Sequence, residues 1–530
     1  MPARLIAICI DAANPALLRG WAADGTLPVL GNLFRQGLSA EVLSLESYFV
    51  GSTWATFHTG CSPARHGFHY LVQLRPGTYE LFKPGEEGMV RTEPFWTKLS
   101  RAGQRVAMLD TPLIPLDPNI NGVHLIEWGG HDAQGGFATA PPELARDIVA
   151  RYGLHPTPPN CDGISRTAEG FEEFVRGLER GANMRAGWTR ELLARESWDM
   201  LLQVFTESHC AGHQAWHLHD PRHPGHDPAL SAALGDPIRR TYRAIDTALG
   251  EILEDAGSAT VIVFACHGMD YWYGAHVLMR DILVGLGVTL PAPAPTIGAR
   301  ARAVAEAGWM SLPKAARAAV KRALRRGTAP GVAHAYHAAG ATAFKKPIPP
   351  QDVLSRCFPV MNGHAVDGIR INLRGREPAG LVDPGAEQEA LEGELIGELL
   401  AISDDRTGGP LIRAVRRSRD LYQGDAGNGL PDLLVEWDET AATGNTVVGG
   451  GAGAVIRARS PRIGVVEGIN RYARTGEHRR EGFLVATGSG IGAGSLPGPV
   501  SLMDLAPTFA AVLGVEIEGV DGRAVSLARG

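Results

Sequence analysis

No run of eighteen or more apolar residues occurs anywhere in the 530-residue chain, so a helix that spans a bilayer is not expected. Its six cysteines, Cys9, Cys61, Cys161, Cys210, Cys266 and Cys357, contain no CxxC pair, which argues against a zinc ribbon or a disulfide framework. Scattered thiols suit a reducing compartment. The N-terminus lacks the charged start, apolar run and small-residue cleavage site of a secretory signal, and a cytoplasmic protein is expected. Positive charge is not in excess either. With 51 Lys+Arg against 57 Asp+Glu the net charge is -6, so no global field exists to hold nucleic acid or an anionic membrane. Internal repeats are absent, and the sequence carries no signal for an oligomeric state.

What is present is ordinary globular composition, 44% hydrophobic and 20% charged, on a chain long enough for a large core with an inserted cap. Short apolar runs predict strands at 5–10, 105–109, 200–205, 260–265, 433–437 and 482–486. Helical patterns fall between them, at 15–21, 171–195, 236–256, 387–402 and 501–513. Most of the strands are apolar on both faces, as central strands covered by helices are. The expected fold is therefore α/β, a doubly wound and mostly parallel central sheet. From about Pro291 the chain turns rich in Ala, Pro and Arg, with Lys314, Arg317, Lys321, Arg322, Arg325 and Arg326 on a predicted amphipathic helix. Its basic face reads first as a solvated surface; a cap helix that attracts an anionic substrate and a membrane-surface contact are the alternatives. The expected organisation is a core over 1–284, an inserted cap over 285–356, and the rest of the core over 357–530.

Ligands of doubly wound sheets bind beyond the carboxyl ends of the strands. Asp11 ends the first predicted strand, where a helix cap or turn residue is the plainer reading. After the strand at 200–205 come His209 and His213, four residues apart. One helical turn stacks such a pair on one face, which suits two ligands of one metal ion. The strand at 260–265 runs into Cys266 and His267, a thiol and an imidazole that suit a soft metal, although Cys266 also reads as a buried small hydrophobe. His478 precedes the last strand. Arg370, Arg374 and Arg376 fall on alternate positions; pairing with acids such as Glu377 and Asp367 is the first reading and phosphate contact the second. His364 stands close by as an open candidate for the substrate pocket.

Taken in order, these pieces resemble the alkaline phosphatase superfamily, in its phosphodiesterase and nucleotide pyrophosphatase branch. Further matches are Trp54-Ala55-Thr56-Phe57-His58-Thr59-Gly60 followed by Pro63 and His66-Gly67, then Gly212-His213, then Cys266-His267-Gly268-Met269, and a tail with Asp504, Pro507, Gly514 and Asp521-Gly522-Arg523. The resemblance implies a hydrolase of small-molecule phosphate esters. It implies a metal set of Asp11, His209, His213, Cys266, His267 and His478, with Asp11, Cys266 and His267 on one ion and His209, His213 and His478 on a second.

Three departures shape the expectation. His209 and Cys266 stand where the family has carboxylates, which favours zinc, or manganese or iron, over magnesium or calcium. Counting ten residues back from Gly60, where the family's nucleophile lies, reaches Val50. Ser52 and Thr53 are hydroxyls close by, and water activated at the metal is the other candidate. His66 reads as structural. Alternatives are a hydrolase of phosphonates, sulfate esters or phosphosugars, and a catalytically degenerate metal- or ligand-binding protein on the same scaffold. The sulfatase-like Cys61-Ser62-Pro63-Ala64-Arg65 lies about ten positions too late and reads as coincidence.

Overall fold

The computed structural model describes residues 3–84, 90–130, 136–156, 161–271, 274–293, 344–441, 443–449, 451 and 453–528. The basic helix expected around 314–326, and most of the expected cap, lie outside the described residues.

A ten-stranded sheet forms the centre. From one edge the order is Gly494–Ser495, Leu38–Leu43, Glu481–Thr487, Thr260–Ala265, Ala3–Ile10, Trp198–Phe205, Val106–Leu109, Gly122–Ile126 and Ala138–Ala140, with Val500–Ser501 pairing beside Leu38–Leu43. The five strands from Thr260–Ala265 to Gly122–Ile126 run parallel. Glu481–Thr487 enters antiparallel between Thr260–Ala265 and Leu38–Leu43.

Strand alternation sends side chains to opposite faces. Ile6, Ile8 and Ile10 pack on one side with the helices Pro15–Ala23, Ala168–Arg195, Glu207–His219 and Pro237–Glu254. Leu5, Ala7 and Cys9 pack on the other, with Thr53–Thr59, Phe95–Arg101 and Leu502–Val512. Both faces are covered, which is why the strands read as continuous apolar runs. The doubly wound α/β expectation is thus met.

One predicted strand belongs elsewhere. Leu433–Trp437 pairs antiparallel with Val366–Ile371 and Ile412–Arg417, in a separate four-stranded sheet completed by Cys357–Val360. Its mostly apolar pattern, broken by the buried Glu436, arises from a second core, where Leu434, Val435 and Trp437 pack with Ile369, Leu395 and Leu399. An apolar run of this length does not distinguish the two settings. Among the described residues no helix is long and apolar enough to cross a membrane.

Candidate metal centre

The carboxyl ends of three neighbouring strands deliver most of the site. Asp11 follows Ala3–Ile10; its N–H donates to Phe205 O at 2.9 Å and its carbonyl accepts from Ser208 Oγ at 2.6 Å. These two bonds tie the first strand to the start of the Glu207–His219 helix. Ala12, next in line, has φ 52, a left-handed conformation costly for a non-glycine residue and common at functional sites. The helix carries His209 and His213 on one face, as the spacing predicts. His267 follows Thr260–Ala265, and His478 arrives on a two-stranded ribbon in which Met269 pairs with His478.

Helix and ribbon touch through glycine. A Cβ on Gly476 would lie 2.3 Å from Gly212 O, so no larger residue permits this approach. Gly476→Ala is therefore expected to separate His213 from His478 and to destabilise the fold by about 1–3 kcal/mol, read as a lower thermal midpoint.

The approach gathers four imidazoles. Ring centroids are 4.6 Å apart for His209 and His213, 4.8 Å for His209 and His478, 4.8 Å for His213 and His478, and 4.5 Å for His267 and His478. Ligand atoms of His209, His213 and His478 lie within 4.8 Å of one another, and so do those of Asp11, His209 and His267. All five residues are buried. His209 Nδ1 lies 2.7 Å from Asp11 Oδ2, and His213 Nδ1 lies 2.8 Å from Gly476 O. The Nδ1 atoms of His267 and His478 are buried with no hydrogen-bond partner. Burial pushes His267 down to about 4 and His478 well below the ordinary imidazole value. Both are neutral at pH 7 and keep a lone pair for a metal. Buried neutral imidazoles with unpartnered nitrogens fit a divalent transition metal.

The structure brings together all the predicted ligands but one. Cys266 is in neither group of ligand atoms; it lies in the core under the sheet, its thiol beside that of Cys9. Consecutive residues leaving a strand point to opposite faces, so His267 enters the site and Cys266 turns away. Asp11 and His267 are joined by His209 instead.

Four of these residues line a pocket of about 50 Å³, while His213 sits behind it. Asp11, His209, His267 and His478 form one side of it, and Val50, Trp54, Tyr70 and Leu113 an apolar side. Ser52 and Thr53 do not line it. Ser52 Oγ donates to Phe68 O at 3.0 Å and Thr53 Oγ1 to Phe49 O at 2.9 Å, both turned back onto the chain. Val50 does line the cavity, under Gly363, whose φ of +117° and lack of a Cβ allow contact with Val50.

Three further polar residues line it. His364, the open candidate, is there, its Nδ1 3.5 Å from Glu477 Oε2. Its ring centroid is 4.4 Å from both His276 and Tyr472. Glu477 and Arg474 carry no distinguishing signal in the sequence. Burial works against the Glu477 charge, but neighbouring His364, His478 and Arg474 together outweigh it and hold the carboxyl at about 2. Arg474 is oriented by Asp162, at 2.8 Å from Nε and 3.1 Å from Nη2, and its Nη1 is 3.1 Å from His213 Nε2. Gln214, on the histidine helix, holds Asp162 in turn at 2.9 Å.

The other residues singled out in the sequence are held in structural contacts. A cleft of about 980 Å³ includes Arg374, Arg376 and Arg419, but these pair with Asp383, Asp432 and Glu392. Arg370 is buried on Glu377 at 2.8 Å, while Asp367 accepts from Trp437 Nε1 at 2.8 Å. The structural reading of these arginines holds. His66 is buried, its Nε2 3.0 Å from Thr56 Oγ1.

No curated protein matches the chain. Among solved structures it is similar to phosphonoacetate hydrolase from Sinorhizobium meliloti 1021 in complex with phosphonoformate, with a TM-score of 0.49 and 14% identity over 96% of this chain and 95% of that one. It is also similar to human ectonucleotide pyrophosphatase / phosphodiesterase 5, with a TM-score of 0.46 and 10% identity over 98% and 97%. The family model for type I phosphodiesterase / nucleotide pyrophosphatase matches residues 5–327, more than half of the chain. The chain therefore belongs to the type I phosphodiesterase / nucleotide pyrophosphatase family, a family of phosphoester hydrolases.

Proposed function

We propose that this protein is a metal-dependent hydrolase of small-molecule phosphate esters in which water, not a side chain, attacks phosphorus. The observation that carries the reading is the cluster of His209, His213 and His478, whose ligand atoms fall within 4.8 Å of one another at the carboxyl edge of the sheet. A divalent ion held there would supply Lewis-acid stabilisation of charge on the phosphoryl oxygens. Zinc suits the imidazole set best, with manganese or iron as substitutes.

The chain's own residues do the rest. The Arg474 guanidinium, fixed by Asp162, faces the cavity and is suited to bind phosphoryl oxygens. His364, partly exposed and 3.5 Å from Glu477 Oε2, is placed as the proton donor to the leaving oxygen. Val50 offers no nucleophile, and Ser52 and Thr53 turn away. A cavity of about 50 Å³ admits the reacting group, so the leaving group extends outside it. In this reading residues 285–356 cap a core formed by 1–284 and 357–530.

The test is a screen of metal-reconstituted protein on phosphomonoesters, phosphodiesters, phosphonates and sulfates. Hydrolysis that requires zinc or manganese, with Ser52→Ala and Thr53→Ala each within about tenfold of wild type, supports the proposal; loss of general-base-scale activity, about 10²–10⁴-fold, in either variant refutes water attack. Bound metal without turnover on any ester, to which Val50 lends support, identifies a binding protein on a hydrolase scaffold.

A further inference from the structure

Granting the metal-dependent reading above, we propose that the site takes one transition-metal ion, held by His209, His213 and His478 at the edge of the pocket, with Asp11 as an orienting carboxylate and not a ligand. The sequence suggests two ions. The geometry departs from that because the two candidate ligand groups share His209.

A neutral imidazole has one N–H and one lone pair. Asp11 Oδ2, 2.7 Å from His209 Nδ1, takes that N–H and leaves Nε2 as the donor nitrogen toward a metal. Gly476 O does the same for His213 at 2.8 Å. A carboxylate or backbone carbonyl behind the ligand nitrogen is the usual support of a metal-binding histidine. Two rings of one helix are thus preset, and His478 meets both from the ribbon, 4.8 Å away by ring centroid. Three imidazoles make a complete catalytic zinc set with one position left for substrate or water.

A second ion would be poorly served. With His209 used, Asp11 and His267 remain from the second group, one short of the three protein ligands that catalytic zinc sites use. Cys266 faces Cys9 in the core, and Val50 has no donor atom. Arg474 adds a fixed positive charge in the same cavity, with Nη1 3.1 Å from His213 Nε2. That contact must yield when the first ion binds, and the charge opposes a second dication.

Metal analysis and cobalt titration of the full-length protein test this. One equivalent per chain is expected, with a cobalt spectrum that has no thiolate charge-transfer band. His213→Ala should bind none. Asp11→Asn should still bind one equivalent, about 10- to 100-fold more weakly, and His267→Ala should also keep one. Arg474→Met should bind the ion more tightly. Two equivalents in the wild type, or a thiolate band, overturn the single-ion proposal while leaving metal dependence intact. No bound metal overturns both. The wild-type count and spectrum decide the matter even where a variant does not fold.

Discussion

Arg185→Leu is expected to lower the stability of the protein by about 3–5 kcal/mol, because it leaves two buried carboxylates without their cation. Arg185 is fully buried and bonds in four directions, to Glu207 Oε1 at 2.9 Å, Thr206 Oγ1 at 2.9 Å, Gly129 O at 2.9 Å and Asp110 Oδ2. Asp110 has φ 60, and its carboxylate also accepts from the N–H groups of Trp128 and Gly129 at 2.9 and 2.7 Å. Arg185→Lys should recover little, since an ammonium cannot span that fork of acceptors. The loss should show as a lower thermal midpoint. It should also reach the metal centre, because Thr206 and Glu207 begin the helix that carries His209 and His213.

The same network fixes the sign of a pH effect. Burial raises the Glu207 pKa, but the Arg185 charge and the His155 hydrogen bond outweigh it and hold the carboxyl at about 2, against 4.5 when unperturbed. A depressed carboxylate stabilises the fold above its unfolded value and loses that contribution as pH falls through its folded value. In the wild type this contribution should fade between about pH 4.5 and 2. In Arg185→Leu the contribution should be smaller and its fade should end at higher pH, because Glu207 then takes up a proton more readily in the folded state. An unchanged acid-unfolding profile in the variant would show that the pair does not hold the charge.

His213→Ala should reduce kcat/KM on the best ester substrate by about 10³-fold or more, since several kcal/mol of metal-supplied stabilisation is lost. A stability measurement separates this from damage to the fold. Saturating zinc should raise the wild-type midpoint, by about 2.7 kcal/mol of stabilisation at 100 times Kd, and leave the variant unmoved. Near-wild-type turnover in folded, metal-free His213→Ala would sink the catalytic role of the cluster.

How far these features were legible depends on the residue. The parallel strands announced themselves as apolar runs, and His209 and His213 followed one of them at helical spacing, so both the edge and the face could be read. His267 and Cys266 are adjacent, and the sequence does not say which turns inward; the last parallel strand's alternation decides it. Ser52 and Thr53 looked available because hydroxyls carry no mark of what they bond to. Here Thr53 opens a buried helical turn and bonds back to Phe49 O. Glu477 was hidden by its neighbour: alternation along Gly476–Arg479 would put it opposite His478, yet the cavity touches both. Arg474 lies outside any regular element, and its role is visible only once Asp162, more than three hundred residues away in sequence, is seen to hold it. The strand at 433–437 was misplaced because a second core produces the same apolar signature.

The late strand Glu481–Thr487 has a consequence for synthesis. It fills the gap between Leu38–Leu43 and Thr260–Ala265, two strands made far earlier. While the nascent chain is still on the ribosome, those two segments expose ladder edges until Glu481–Thr487 emerges to pair with both, and such edges invite pairing with other chains. His478 emerges just before the strand that closes them, so completion of the candidate metal centre and sealing of the sheet belong to the same step of synthesis.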